Sequence, residues 1–458
     1  MKLLKISLLL FLLLFTLSLK SQWTFEGRLD NNGLFNYISV VDSGTVWTVG
    51  EAWSGDSSII YRRSPGGLWK SIPTNSIIHN HELTCIAAID SLTAFVATGN
   101  GNNNGYSYLY KTTNAGLNWF AQITLAGNRG YFNDIRFSKK NPAYGYAWSD
   151  PPQGNGSPFK IFKTTNYGVN WIEYSIQIDT HYVGYAVSIC VTDSVHAWFG
   201  LFRNRTSSDP NGKVLYTTNG GLDFLVATIP ASGESVNTLE FKHDNSFGFA
   251  TIDFQYNNYY KSTNGGISWI SQFSSYGFGS AMRVISIPNS NIWYVSTNFT
   301  GPTNRFFKST NDGTTWVSMI EPNLYFSIEH MDAVTSDNNY VVYAVGLDGQ
   351  ILRLSDTTTV IGINPINSEV PTTFRLYQNY PNPFNPTTMI AFDIPKDSYA
   401  SLKIFNSLGQ EVVVLIDGSI KAGVYQKMFN ASALPSGIYF YKFVSEGFSE
   451  VRKMSLIK

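Results

Sequence analysis

A segment of eleven residues recurs along this chain and limits what the chain can fold into. Five copies align without gaps: YKTTNAGLNWF at 110–120, FKTTNYGVNWI at 162–172, LYTTNGGLDFL at 215–225, YKSTNGGISWI at 260–270 and FKSTNDGTTWV at 307–317. A sixth, YRRSPGGLWKS at 61–71, is one residue shorter in its turn. The shared glycines are Gly67, Gly116, Gly168, Gly221, Gly266 and Gly313, separated by 45 to 53 residues. Near-equal spacing over six copies means one supersecondary unit stacked on itself, and this period suits a four-stranded propeller blade.

The motif reads as a hairpin staple. Thr or Ser followed by Asn (Asn114, Asn166, Asn219, Asn264, Asn311) can bond the turn's own amides. The glycine takes a positive φ that other residues resist. Trp119, Trp171, Trp269 and Trp316, with Phe224 in the fourth copy, then open the next strand and pack the turn down. Two further strand segments precede each copy, such as 134–140 with 143–149. The last such set, MDAVTSD, YVVYAVG and QILRLSD, has no staple after it. Trp23 begins WTFEGRL, a strand with no partner before it. Closure of a ring follows: the N-terminal strand becomes the outer strand of a seventh blade, leaving no open edge.

The repeat resembles the Asp-box (BNR) motif of sialidases, sortilin-like proteins and xyloglucanase-type propellers. Its lead-in and spacing look most like propellers of the photosystem II assembly/stability-factor type. It departs from the motif in having Asn where that family has Asp.

Both ends read as export signals. Lys2 and Lys5 precede an apolar run from Ile6 to Leu19, too short to span a bilayer and right for a signal peptide over 1–21, cleaved after Ser21. No cysteine follows it, which excludes a lipoprotein. A propeller is expected over 22–356 and a Thr/Asn/Pro-rich linker over 357–371. Residues 372–458 carry short alternating strands divided by NSLGQ, DGSIKAG and ALPSG, the texture of a small Ig-like β-sandwich. This tail resembles the type A C-terminal sorting domain of the type IX secretion system. The resemblance rests on QNYPNPFNP (Gln378 to Pro386), FNSLGQEV (Phe405 to Val412), LPSGIYFYK (Leu434 to Lys442) and the terminal KMSLIK. It implies engagement of the type IX machinery through 372–458 and passage by way of the periplasm. The destination is then the medium or the outer-membrane surface. The fold expected is all-β: a seven-bladed β-propeller followed by a small Ig-like β-sandwich.

Charge narrows the function. Lys+Arg and Asp+Glu both number 32, and residues 22–371 hold 20 cations against 26 anions. A mildly acidic propeller is a poor partner for nucleic acid or an anionic membrane. Beyond the leader no stretch is apolar enough for a membrane helix. Cys85 and Cys190 sit in apolar strands, LTCIAAI and VSICVTD, and read as small buried hydrophobes; the sequence leaves a disulfide between them open.

Propeller ligands usually meet the face where the innermost strands begin. Polar and aromatic residues gather there: Tyr37, His81, Glu82, Tyr131, Asn133, Asp134, Trp148, His181, Tyr182, Arg283, Glu329 and His330. Rings with neutral polar groups suit stacking on sugars or on loops of a protein. No HExxH, cysteine pair, phosphate-binding glycine loop or GxSxG elbow occurs, so neither metal nor cofactor nor catalytic residue is assigned. The expected function is a non-catalytic glycan- or protein-binding module. The alternative is a glycoside hydrolase, sialidase-like or xyloglucanase-like, drawing on Glu82, Asp134 or Glu329; it needs two carboxyls about 5–10 Å apart.

Overall fold

In the computed structural model, the described residues lie within 23–457, apart from 30–32, 53–57, 75–81, 100–104, 128–129, 153–156, 179–181, 204–210, 231–234, 253–257, 274–279, 299–304, 321–327, 337–338, 358–370, 421 and 432–433. The leader 1–21 and most of the expected linker 357–371 therefore fall outside the description, while Thr357 still belongs to a strand. The chain divides at 358/359 into two compact units.

Among the described residues, the first unit holds seven four-stranded antiparallel sheets. Blade 1 runs Gly33–Val40, Val46–Ala52, Ser58–Arg63 and Trp69–Ile72, and the next five blades repeat that meander. Blades 2 to 6 begin with Leu83–Ala88, Phe132–Phe137, Tyr182–Val191, Val236–Phe241 and Ser280–Ser286. Blade 7 takes Ile328–Ser336, Asn339–Gly346 and Gln350–Thr357 from the end of the unit and Trp23–Arg28 from its start. Trp23 pairs with Leu354 and its ring stacks on Phe306 of blade 6 at 4.2 Å. Each innermost strand neighbours the next, and that of blade 7 neighbours that of blade 1, which closes the ring.

The staple forms as its chemistry requires. Thr112 Oγ1 accepts the Gly116 amide at 3.0 Å, and Asn114 Oδ1 accepts the Asn118 amide at 2.9 Å. The same pair of bonds recurs in the four other ungapped copies. The residue before the glycine is left-handed as well, with φ of 60° at Ala115 and 59° at Tyr167. Each turn packs against an aromatic of the preceding blade: a Cβ on Gly168 would lie 2.3 Å from Phe95 Cζ.

The second unit is a sandwich. One sheet holds Arg375–Leu376, Thr387–Ile394 and Gly423–Asn430; the other holds Glu411–Ile420, Ser398–Asn406, Gly437–Ser445 and Phe448–Leu456. Their inner faces share one core, where Phe392 meets Phe443 at 4.8 Å. The DGSIKAG turn is shorter than the sequence suggests, because Asp417–Ile420 continue the strand by pairing with Ser398–Ser401.

Candidate functional site at the propeller centre

Each innermost strand is bonded along one edge only, so its other edge presents amides that need acceptors. Side chains from the preceding blade supply them. Ser39 Oγ accepts the Ala88 amide at 2.9 Å, and Asp134 Oδ2 that of Ile189 at 2.9 Å. Cys190 Sγ takes Phe241 at 3.2 Å, and Asp332 Oδ2 takes Val40 at 2.7 Å. Both cysteines are buried and free, and Cys190 is an acceptor as well as a hydrophobe.

Three of the sequence-selected residues meet in this interior. Asp134 Oδ1 accepts the Tyr37 hydroxyl and, at 2.8 Å, the Ile135 amide. The Tyr37 ring stacks on His330 at 3.8 Å. Arg136 covers the Tyr37 ring at 5.0 Å and donates from Nη2 to His330 Nε2 at 2.8 Å. Arginine only donates, so the imidazole proton sits on Nδ1, and the Ile38 amide 3.4 Å from Nδ1 is a contact rather than a bond. Burial, then the charges of Arg136 and Lys139, holds His330 far below the usual imidazole range, hence neutral. Burial raises the Asp134 carboxyl against the pull of Arg136. None of Tyr37, Asp134 and His330 is more than 1% exposed. They form a sealed plug.

Toward the ends of the innermost strands lies a cavity of about 510 Å³, partly open to solvent, lined by Arg136, Lys139, Glu240, His243, Arg283 and Asp332 among others. Lys139 Nζ pairs with Asp332 Oδ2 at 2.8 Å. Ser286 Oγ donates to Glu240 Oε1 at 3.1 Å, and Arg283 Nη1 to Thr238 Oγ1 at 3.3 Å. Burial lifts Glu240 to about 7 although Arg136 and Ser286 oppose it. Burial, then Lys139, lowers His243 to about 4.

At the opposite end, where the innermost strands begin, Tyr131 donates to Glu82 Oε1 at 2.6 Å, and Asn133 Nδ2 to Asp150 Oδ1 at 3.0 Å. Burial, then the Glu82 charge, raises the partly buried Glu51. Glu329 is partly buried beside His330. Trp148 is fully buried against Phe159 and Phe199 in the core joining blades 3 and 4 and offers a ligand no surface. Tyr182 opens blade 4 opposite Arg203. His81 and His181 lie outside the described residues, as do 53–57, 100–104, 153–156, 204–210 and 299–304 of the variable loops.

Sequence reasoning passed over Glu51, Arg136, Lys139, Glu240 and Asp332. Their signal was a charge inside an otherwise apolar strand, or at its end, repeated at matching places in several blades; such a charge needs a partner from another blade.

Residues 378–458 match the secretion system C-terminal sorting domain family. No curated protein sequence matches the chain. Among solved structures, YCF48 bound to D1 peptide superposes with a TM-score of 0.53 at 14% identity, over 74% of this chain and 96% of that one. YCF48 from Cyanidioschyzon merolae gives 0.50 at 14%, over 72% and 98%. PorZ, a surface component of the type IX secretion system of Porphyromonas gingivalis, gives 0.50 at 16%, over 95% of this chain and 60% of that one. At these identities the likeness is one of fold. The chain is a seven-bladed β-propeller carrying a type IX secretion sorting domain, which marks it for secretion or the outer-membrane surface.

Proposed function

We propose that the propeller is a non-catalytic module that binds an extracellular glycan or surface protein at the end where its innermost strands begin. The observation that carries this reading is the sealing of Tyr37, Asp134 and His330: the carboxylate at the centre is spent on structure, with no exposed oxygen to offer a substrate. Around it stand groups suited to recognition. Tyr131 and Glu82 form a bonded pair. Tyr106, Tyr108 and Tyr110 stack as a ladder whose first ring is 42% exposed, a surface on which a sugar ring can lie. A peptide ligand on YCF48 shows that a propeller of this fold can hold one, which supports the protein alternative.

One observation favours glycoside hydrolysis. Glu51 carries a raised carboxyl beside Glu82, the arrangement of an acid with an ionised partner. A panel of polysaccharides incubated with residues 22–458 separates the two. The binding reading expects retention without new reducing ends, weakened about tenfold by Tyr131→Ala, equivalent to ~1.4 kcal/mol. Reducing ends that disappear in Glu51→Gln would establish the hydrolase instead.

A further inference from the structure

The turns between third and fourth strands carry a feature that folding does not require. The residue after each turn glycine points outward: Leu68, Leu117, Val169, Leu222 and Ile267 are 60–84% exposed. Three residues on, the outer strand opens with a second exposed row, Phe120, Ile172, Leu225 and Ile270 in blades 2 to 5 and Val317 in blade 6. The first-to-second-strand turns lie at the same end, since Ala115 and Gly220 donate to the carbonyls of Leu92 and Val195, both also exposed. Among the described residues of the propeller, nearly all large exposed apolar side chains gather at this one edge; Phe25, Tyr106 and Val226 are the exceptions. Such a concentration is unusual on a soluble surface and marks a contact.

Repetition determines the shape of that contact. Equivalent positions in successive blades stand at one height, so the five tips of blades 1 to 5 form an arc in one plane. The tips are separated by polar Asn and Ser side chains instead of merging into a patch, whereas a protein interface needs a contiguous packed centre. Separated apolar tips in a plane fit a surface that is flat and fluid. Charge agrees: in the five segments of blades 1 to 5 that bear the tips, Asp223 is the only acid, against Arg62, Arg63, Lys70, Lys111, Lys163 and Lys261. The propeller is acidic overall, so this depletion is local.

We propose that this edge docks on a lipid bilayer by shallow insertion of the five tips. The contact is apolar, needs no anionic lipid and leaves the opposite end, with Tyr131 and Glu82, facing away from the membrane. The test is flotation of residues 22–458 with phosphatidylcholine vesicles, without the apolar leader. The protein floats, and raising the salt from 0.1 to 1 M leaves the bound fraction unchanged, as expected for an uncharged contact. Leu117→Ser with Val169→Ser and Leu222→Ser lowers that fraction at least tenfold while thermal unfolding stays in place. Leu68→Ser with Ile267→Ser, on other turns, gives an independent loss. Absence of flotation, or equal flotation of both variants, overturns the proposal. So does a dimer that the serines dissolve, which would give the arc to a second copy.

Discussion

Lys163 Nζ, on blade 3, donates at 2.7 Å to the carbonyl of Gly220 in the turn of blade 4. The lysine of one repeat thus ties down the turn of the next. Lys111 does the same to Tyr167 and Gly168, and Lys261 to Asp312. The fourth copy has Tyr216 where most have lysine, and there Trp198 Nε1 takes over, donating to Gly265 at 2.8 Å. Lys163→Met keeps the stem and leaves a carbonyl without its donor, at a cost of about 1–3 kcal/mol. Thermal unfolding should show a fall of a few degrees, and none for Lys160→Met on the exposed side of the same strand.

The turn glycines differ in what surrounds them. Gly168→Ala places a methyl against Phe95 in a left-handed backbone, so strain and overpacking add to about 3 kcal/mol or more. Gly265→Ala, also left-handed but with open space around it, meets only the backbone term of about 1–2 kcal/mol. Denaturant unfolding of the two variants should rank them in that order.

Burial pushes both thiols up, so neither is a thiolate at neutral pH. A thiol reagent should find no reactive cysteine in the native chain and two after denaturation. Cys190→Ala strands the Phe241 amide and should destabilise by about 1–3 kcal/mol; Cys190→Ser, which can still accept, should lose less.

Glu240 and His243 give opposite pH dependences. Glu240 is raised from 4.5 to about 7, so the folded chain holds its proton longer than the unfolded one; that stability is complete below 4.5 and lost as pH rises through 7. The gap corresponds to about 3 kcal/mol. His243 is lowered to about 4, so its contribution is present above 6.5 and lost as pH falls toward 4. Glu240→Gln should therefore raise the unfolding temperature relative to wild type at pH 8 and do little at pH 5.

The blades were legible because the staple is local: Thr112, Asn114, Gly116 and Trp119 lie within eight residues and declare the turn without help from elsewhere. Closure was legible for the converse reason, since Trp23 and the strand of Leu354 each lacked a partner. The centre was not. Tyr37 reaches Asp134 across 97 positions and Arg136 reaches His330 across 194, so nothing local shows that these groups consume one another. Polar residues at the head of an inner strand look alike whether they face a ligand or an open strand edge. Tyr131 and Glu82 remain toward the surface, while Asp134 and His330 close the interior.

The account rests on a propeller that folds by itself and a tail that delivers it. Fractionation of cells expressing the chain without residues 372–458 tests this most directly. The propeller should accumulate in the periplasm, protease-resistant and with its native unfolding temperature, and be missing from surface and medium. Normal appearance of the truncated chain outside the cell would contradict the account.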